Sequence, residues 1–329
     1  MAEQLVGMEE IGEAMDRIRS VVHRTPLQRC RTLSEQSGRE VYLKLENLQK
    51  TGSFKVRGAV NKIYGLTPEQ AAKGVITASA GNHAQGVALA AQAMGVPAVV
   101  VMPRHAPETK SSATQSYGAK VILAGNSYEE AYQEACRLQA ESAMTFVHAF
   151  DDRAVIAGQG TITLEILERL YDIDMLVAPV GGGGLIAGLA AAAKQINPRL
   201  TVIGVQAAGA AAMALSAASD RLRCLDAAAT LADGICVRQP GALTFAHVQR
   251  YVDDIVTVSE DELTDAVLLL LERGKLMVEG AGAAGIAALM AGKLPQRGAK
   301  VALVVSGGNL DPLALSAMIH GRYRSAASF

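Results

Sequence analysis

A rhythm constrains this chain first. Short apolar segments of strand length, each followed by a longer stretch with apolar residues at helical spacing, recur over most of its 329 residues. Strands are expected at 75–78, 98–102, 119–123 and 145–148, with helices over 82–94, 107–117 and 127–142. A second series follows: helix 158–170, strand 175–179, helix 185–195, strand 201–206, an alanine-rich run 207–218 that keeps a helical pattern, strand 254–258, helices 261–272 and 283–290, and strand 300–306. Strands separated by helices cannot pair as hairpins; they pair in parallel through right-handed crossovers. The expected fold class is α/β, with two domains that each hold a mainly parallel sheet flanked by helices.

Ahead of the first series stand a helical pattern over 8–22, a strand at 41–45 and a helix running to Tyr64. That helix stops at Gly65 and Thr67-Pro68, where the chain can leave one domain for another. The expected division is a large domain of residues 1–72 and 152–329 and a small domain of residues 73–151. No repeat of 20–50 residues points to a solenoid.

The balance of charge narrows the partners. A net charge of -1 and a pI near 6.6 give no field suited to nucleic acid or an anionic membrane, so a small neutral or zwitterionic ligand fits better. Cys30, Cys136, Cys224 and Cys236 have neither the spacing nor the histidine neighbours of a zinc site or a disulfide framework. They read as reduced thiols of a cytoplasmic protein, with no metal site. Residues 1–17 lack the basic start and apolar core of a secretory signal. The uncharged run 86–103 is split by Gln92, Gly95 and Pro97 into a helix and a strand, so no membrane span is expected.

Four short motifs carry chemistry. In 51–59, Lys55 sits among small residues, beside Phe54, at the start of a helical pattern. An amine in a partly apolar pocket loses the solvation that favours its ammonium form, so it becomes available as a nucleophile; the alternative is a solvated lysine in a turn. Gly181, Gly182, Gly183 and Gly184, with Leu185, join a strand to a helix, where free N–H groups can wrap a phosphate; the alternative is a packing turn. Ser79, Ala80, Gly81, Asn82 and His83 form another strand-to-helix loop, able to hold a carboxylate or to act as a helix cap, with the Asn82 amide free to bond a phenolic oxygen. Ser306 ends the last strand and presents a hydroxyl at the sheet's C-terminal edge, or simply opens a glycine-rich turn.

A dinucleotide site is the competing reading of the glycines. Gly182, Gly184 and Ala187 satisfy a GxGxxA spacing, but Gln206 stands at the end of the next strand where an acidic residue would hold a ribose. Gly280, Gly282 and Gly285 follow a helix and Glu279 instead of a strand.

An activatable lysine, a phosphate cradle, a carboxylate loop with an amide, and a serine hydroxyl make up the contacts pyridoxal phosphate needs. Over residues 8–311 the sequence resembles the fold-type-II pyridoxal-phosphate enzymes, which share the architecture of the tryptophan synthase β chain. Within them it is similar to the short catabolic threonine (serine) dehydratases. The resemblance is carried by 41–59, 79–83, 181–185, Ala232-Asp-Gly234, Glu279-Gly-Ala-Gly282 and Ser306-Gly-Gly-Asn309.

It implies that Lys55 is catalytic and carries the cofactor as a Schiff base, with Phe54 against it. Asn82 would bond the phenolic oxygen, Gly181 to Leu185 the phosphate, Ser306 the pyridine nitrogen, and Ser79 with Ala80, Gly81, Asn82 and His83 the substrate carboxylate. A serine at the ring nitrogen does not enforce a protonated ring, which favours prompt β-elimination. The related serine racemases have a second serine where Ala80 stands, and carboxylates for a divalent metal where Gln206 and Ala212 stand. The expected activity is therefore dehydration of L-threonine or L-serine to an oxo acid and ammonia, by a homodimer or homotetramer. Racemisation, or dehydration of another β-hydroxy amino acid, is the rival within the class; a non-catalytic ligand-binding protein and a nicotinamide-dependent oxidoreductase are the rivals outside it. Because the chain stops about twenty residues after Ser306, no C-terminal regulatory domain is expected.

Overall fold

A computed structural model describes residues 5–326. Its strands, in chain order, are β1 (Leu27–Arg29), β2 (Glu40–Leu45), β3 (Val75–Ala78), β4 (Ala98–Met102), β5 (Lys120–Leu123), β6 (Thr145–Phe146), β7 (Met175–Pro179), β8 (Thr201–Ala207), β9 (Asp254–Val258) and β10 (Lys300–Val305). They form a six-stranded sheet in the order β1-β2-β10-β7-β8-β9 and a four-stranded sheet in the order β5-β4-β3-β6. Every pairing is parallel except β1 with β2. The chain is thus α/β with two mainly parallel sheets, as its strand-helix rhythm requires.

Parallel strands with both faces covered read as continuous apolar runs. β7 and β8 are buried along their whole length, and the helices Gly184–Ile196 and Gly280–Met290 supply alanine-rich surfaces that pack close to the sheet. Helix Lys55–Tyr64 meets helix Arg153–Arg169 almost backbone to backbone: a Cβ on Gly158 would lie 2.7 Å from the Gly58 Cα. That contact leaves the Lys55 helix little freedom to slide.

Several boundaries differ from expectation. The helix expected at 158–170 begins at Arg153, because the Asp152 side chain accepts from the N–H groups of Ala154 and Val155 as its N-cap. The strand expected at 145–148 pairs only over Thr145–Phe146, with Val147 N still donating to Ile76 O at 2.9 Å. The alanine-rich run folds as a 3-10 turn, Ala208–Ala210, and then a helix, Ala212–Ala218. Helices Arg31–Ser37, Pro68–Lys73, Ala242–Tyr251 and Pro312–Ala326, and the edge strand β1, have no counterpart in the sequence reading.

The residues singled out above gather at the C-terminal ends of parallel strands. β2 runs through a 3-10 turn to Lys55, β3 ends before Ser79, β7 before Gly181 and β10 before Ser306. Ligands of open parallel sheets bind at such ends.

Candidate active site

Lys55 opens its helix, and the loop before it is pinned to the end of β10. Phe54 N donates to Ser306 O at 3.1 Å, Gly308 N donates to Gly52 O at 2.9 Å, and Ser53 bridges Gly307. Lys55 Nζ donates to Ala149 O at 2.8 Å and lies 5.2 Å from the centre of the Phe54 ring. Desolvation pushes its pKa down to about 8, with the nearby Glu279 carboxylate pulling the other way. Lys55 is thus a withdrawn amine whose one hydrogen-bond partner among the described residues is a backbone carbonyl.

Residues 147–151 join the parts of the site. Val147 O accepts from Thr77 Oγ1 and from His83 Nε2, Ala149 O takes Lys55, and the Phe150 ring lies against the glycine loop. His148 Nδ1 accepts from the N–H groups of Phe150 and Asp151, and the Asp151 carboxylate accepts from those of Ala242 and Thr244. Thr244 Oγ1 in turn donates to Gly182 O at 2.6 Å, bracing the loop from behind.

The loop strongly favours glycine, above all at 183 and 184. A Cβ at position 182 would lie 2.4 Å from the Phe150 ring, one at 184 would lie 2.8 Å from Phe150 Cα, and Gly183 has φ +99°. Among the described residues, no N–H from Gly181 to Leu185 donates to a backbone carbonyl. These are the orphaned donors of a helix N-terminus, and a phosphate satisfies them.

In the loop after β3, Ser79 Oγ accepts from Gly81 N, while the N–H groups of Ala80, Asn82 and His83 are likewise unused by backbone carbonyls. The His83 ring turns inward: it is buried, bonded to Val147 O at 2.9 Å and pushed by desolvation down to a pKa of about 3. Its share in the loop is therefore its backbone N–H. Ser306 is buried at the end of β10, its hydroxyl without a partner among the described residues.

Two residues not assigned a role from sequence enter the site. Glu279, the N-cap of helix Gly280–Met290, accepts from Asn82 Nδ2 at 2.7 Å, and Asn309 Nδ2 donates to Asn82 Oδ1 at 2.7 Å. Desolvation and the negative charge of Asp233 push Glu279 up to a pKa of about 7. Both stand in motifs noted above, but their common partner is 197 and 227 positions away, so no local pattern links them.

A model of the family described as "pyridoxal-phosphate dependent enzyme" matches residues 18–307. The chain belongs to that family. Among curated relatives, L-threonine ammonia-lyase of Thermotoga maritima is 54% identical over 93% of this chain and 76% of its own. The catabolic L-threonine dehydratase of Escherichia coli K12 is 46% identical over 93% of this chain and 94% of its own. Among solved structures, the T.th. threonine deaminase superposes with TM-score 0.88 at 42% identity, covering 93% of this chain and 99% of that one. Maize serine racemase superposes with TM-score 0.92 at 37% identity, covering 98% and 100%.

The fold is that of the type-II pyridoxal-phosphate enzymes, and the cofactor is pyridoxal phosphate. The residues fit it: a withdrawn amine, a glycine loop with unused N–H donors, and the Ser306 hydroxyl, which has no partner among the described residues, are the three partners its aldehyde, phosphate and ring nitrogen require. Gln206 is committed elsewhere, its Nε2 donating to Val180 O and Ala210 O and its Oε1 accepting from Ala214 N. Among the described residues no group of three or more His, Cys, Asp or Glu is placed to hold a metal.

Proposed function

We propose that this enzyme removes water from L-threonine, and from L-serine, releasing an enamine that hydrolyses to 2-oxobutanoate or pyruvate and ammonia. The observation that carries the reading is Lys55, an amine with its pKa near 8 held on the Ala149 carbonyl, next in sequence to the Phe150 ring that packs on the glycine loop. The L-threonine ammonia-lyase and L-threonine dehydratase relatives at 46–54% identity support the choice of substrate.

When bound, pyridoxal phosphate supplies the electron sink that makes the substrate's Cα–H acidic. The chain supplies the rest. The N–H groups of 181–185 would hold the cofactor's phosphate, Phe54 would pack against it, Asn82 would bond the phenolic oxygen, and Ser306 Oγ would bond the ring nitrogen without fixing a proton there. The N–H groups and Ser79 hydroxyl of the 79–83 loop bind the substrate carboxylate and orient Cα toward Lys55. Lys55 Nζ takes the Cα proton, a task for which a pKa near 8 leaves a useful neutral fraction at physiological pH. The β-hydroxyl then leaves as water, needing one proton to do so, and the one Lys55 takes from Cα balances it, which completes the elimination. Ala80 offers no acid or base for the opposite face, which favours elimination over racemisation.

The reading includes a division of labour in which residues 1–72 and 152–329 carry the cofactor and residues 73–151 carry the substrate loop. The six-stranded and four-stranded sheets support that division, as does the crossing at 147–151. A cytoplasmic homodimer or homotetramer is part of the same proposal; no helix among the described residues is long and apolar enough to cross a membrane.

Racemisation of serine is the second reading, favoured by the likeness to maize serine racemase. Assay of oxo acid and ammonia, with chiral analysis of remaining serine, separates the two. Oxo-acid release faster than D-serine formation is expected; D-serine formation outpacing it would overturn the proposal.

A further inference from the structure

The Asn82 side chain is gripped at both ends. Asn309 Nδ2 spends its two hydrogens on Thr51 O at 2.8 Å and Asn82 Oδ1 at 2.7 Å. Asn82 must therefore turn its oxygen to Asn309 and its nitrogen to the Glu279 carboxylate, 2.7 Å away. A flipped amide would set donor against donor at Asn309 and lose that bond. One hydrogen of Asn82 Nδ2 is left over.

We infer that Glu279 and Asn309 are positioning residues, a clamp that fixes the Asn82 amide so that its remaining N–H points to the phenolic oxygen of the cofactor. The inference rests on the assignment of Asn82 to that oxygen. The three residues come from three places: Asn82 from the loop after β3, Glu279 from the cap of helix Gly280–Met290, and Asn309 from the turn after β10. The clamp thereby ties the four-stranded sheet to the six-stranded one across the site.

Glu279 is a costly choice for mere packing. It is 4% exposed, and among the described residues no cation is bonded to its carboxylate. The charged groups that face it are Asp233, Lys110, which is paired with that aspartate, and the Lys55 amine. A buried carboxylate without a bonded cation carries a desolvation cost that an apolar side chain would avoid. Its return is orientation, since it accepts from Asn82 at one fixed position.

The test is a set of cofactor-binding measurements on apoenzyme titrated with pyridoxal phosphate, with the visible absorption maximum read alongside and folding checked by thermal melting. Asn82→Ala is expected to raise the cofactor Kd about tenfold and shift the absorption band. Glu279→Ala and Asn309→Ala should each raise Kd about fivefold in the native background, but less than about twofold when combined with Asn82→Ala, because what they hold is then gone. Glu279→Gln, which keeps an acceptor oxygen, should stay within about twofold of the native Kd. Should Glu279→Ala fail to fold, Asn309, an exposed residue, carries the comparison.

Equal Kd increases with and without Asn82 would make these residues general supports of the fold and overturn the clamp alone. The clamp is also overturned if the single variants bind as the native protein does while Asn82→Ala does not. A native Kd and band in Asn82→Ala would overturn the assignment of Asn82, and the clamp with it.

Discussion

Replacing Lys55 with alanine is expected to lower kcat by at least about 10³-fold, since one side chain both anchors the cofactor and moves the Cα proton. The loss should appear with the fold intact. In cofactor-free protein the variant should even be the more stable below pH 8. The sign follows from linkage: the folded-state pKa of Lys55 is about 8, below the ordinary 10.5, so folding disfavours its charged form. That penalty is fully present below pH 8 and disappears as pH rises from 8 to 10.5. Chemical denaturation of both proteins across this window should show the stability gap closing as pH rises. A variant that unfolds, or one that turns over at the native rate, would contradict the role given to Lys55.

The second large effect concerns stability. Arg57, two residues further along the same helix, is fully buried and divides its guanidinium between two buried carboxylates. Its Nε and Nη2 reach Glu46 at 2.8 Å, and its Nη1 reaches Glu165 at 2.7 Å. Lys44 Nζ completes the cluster, donating to Glu165 at 2.5 Å and to Thr25 O at 2.7 Å. Burial pushes Glu46 up, but the charge and hydrogen bonds of Arg57 outweigh it and hold the carboxyl below its usual range.

Arg57→Leu leaves two carboxylates facing one ammonium, and should lower the unfolding free energy by about 3–5 kcal/mol. Arg57→Lys should recover little of this, because a point charge cannot span both carboxylates as the planar guanidinium does. Since the folded-state pKa of Glu46 is depressed, its contribution is present at neutral pH and lost as pH falls through the carboxylate range. Equilibrium unfolding in urea, with the slope compared to confirm two-state behaviour, measures the difference. A change below about 1 kcal/mol would show that the cluster does not bear on stability as described.

What the sequence disclosed follows physical range. Lys55, the 181–185 loop and the 79–83 loop announce themselves because each needs small residues at fixed local spacing beside a strand or helix end. β7 and β4 are bounded as expected because buried parallel strands are unbroken apolar runs. Edge strand β1, with three residues, is too short to show a period.

The cluster of Lys44, Glu46, Arg57 and Glu165 stayed hidden for another reason. Charged residues read locally as solvent-facing, and only the packing of β2, helix Lys55–Tyr64 and helix Arg153–Arg169 brings their charges together. Glu279 and Asn309 were hidden likewise, their roles defined by Asn82 across a fold's length of chain. Residues 147–151, expected to lie partly within a strand, proved instead to be the segment whose carbonyls and ring join Lys55, His83 and the glycine loop.

The central claim is that Lys55 is the amine around which this site is built. Borohydride reduction of the purified holoenzyme, followed by peptide mapping, tests it most directly. The account predicts loss of the visible cofactor band and a pyridoxyl group fixed on Lys55; a label on any other lysine, or none, would contradict it.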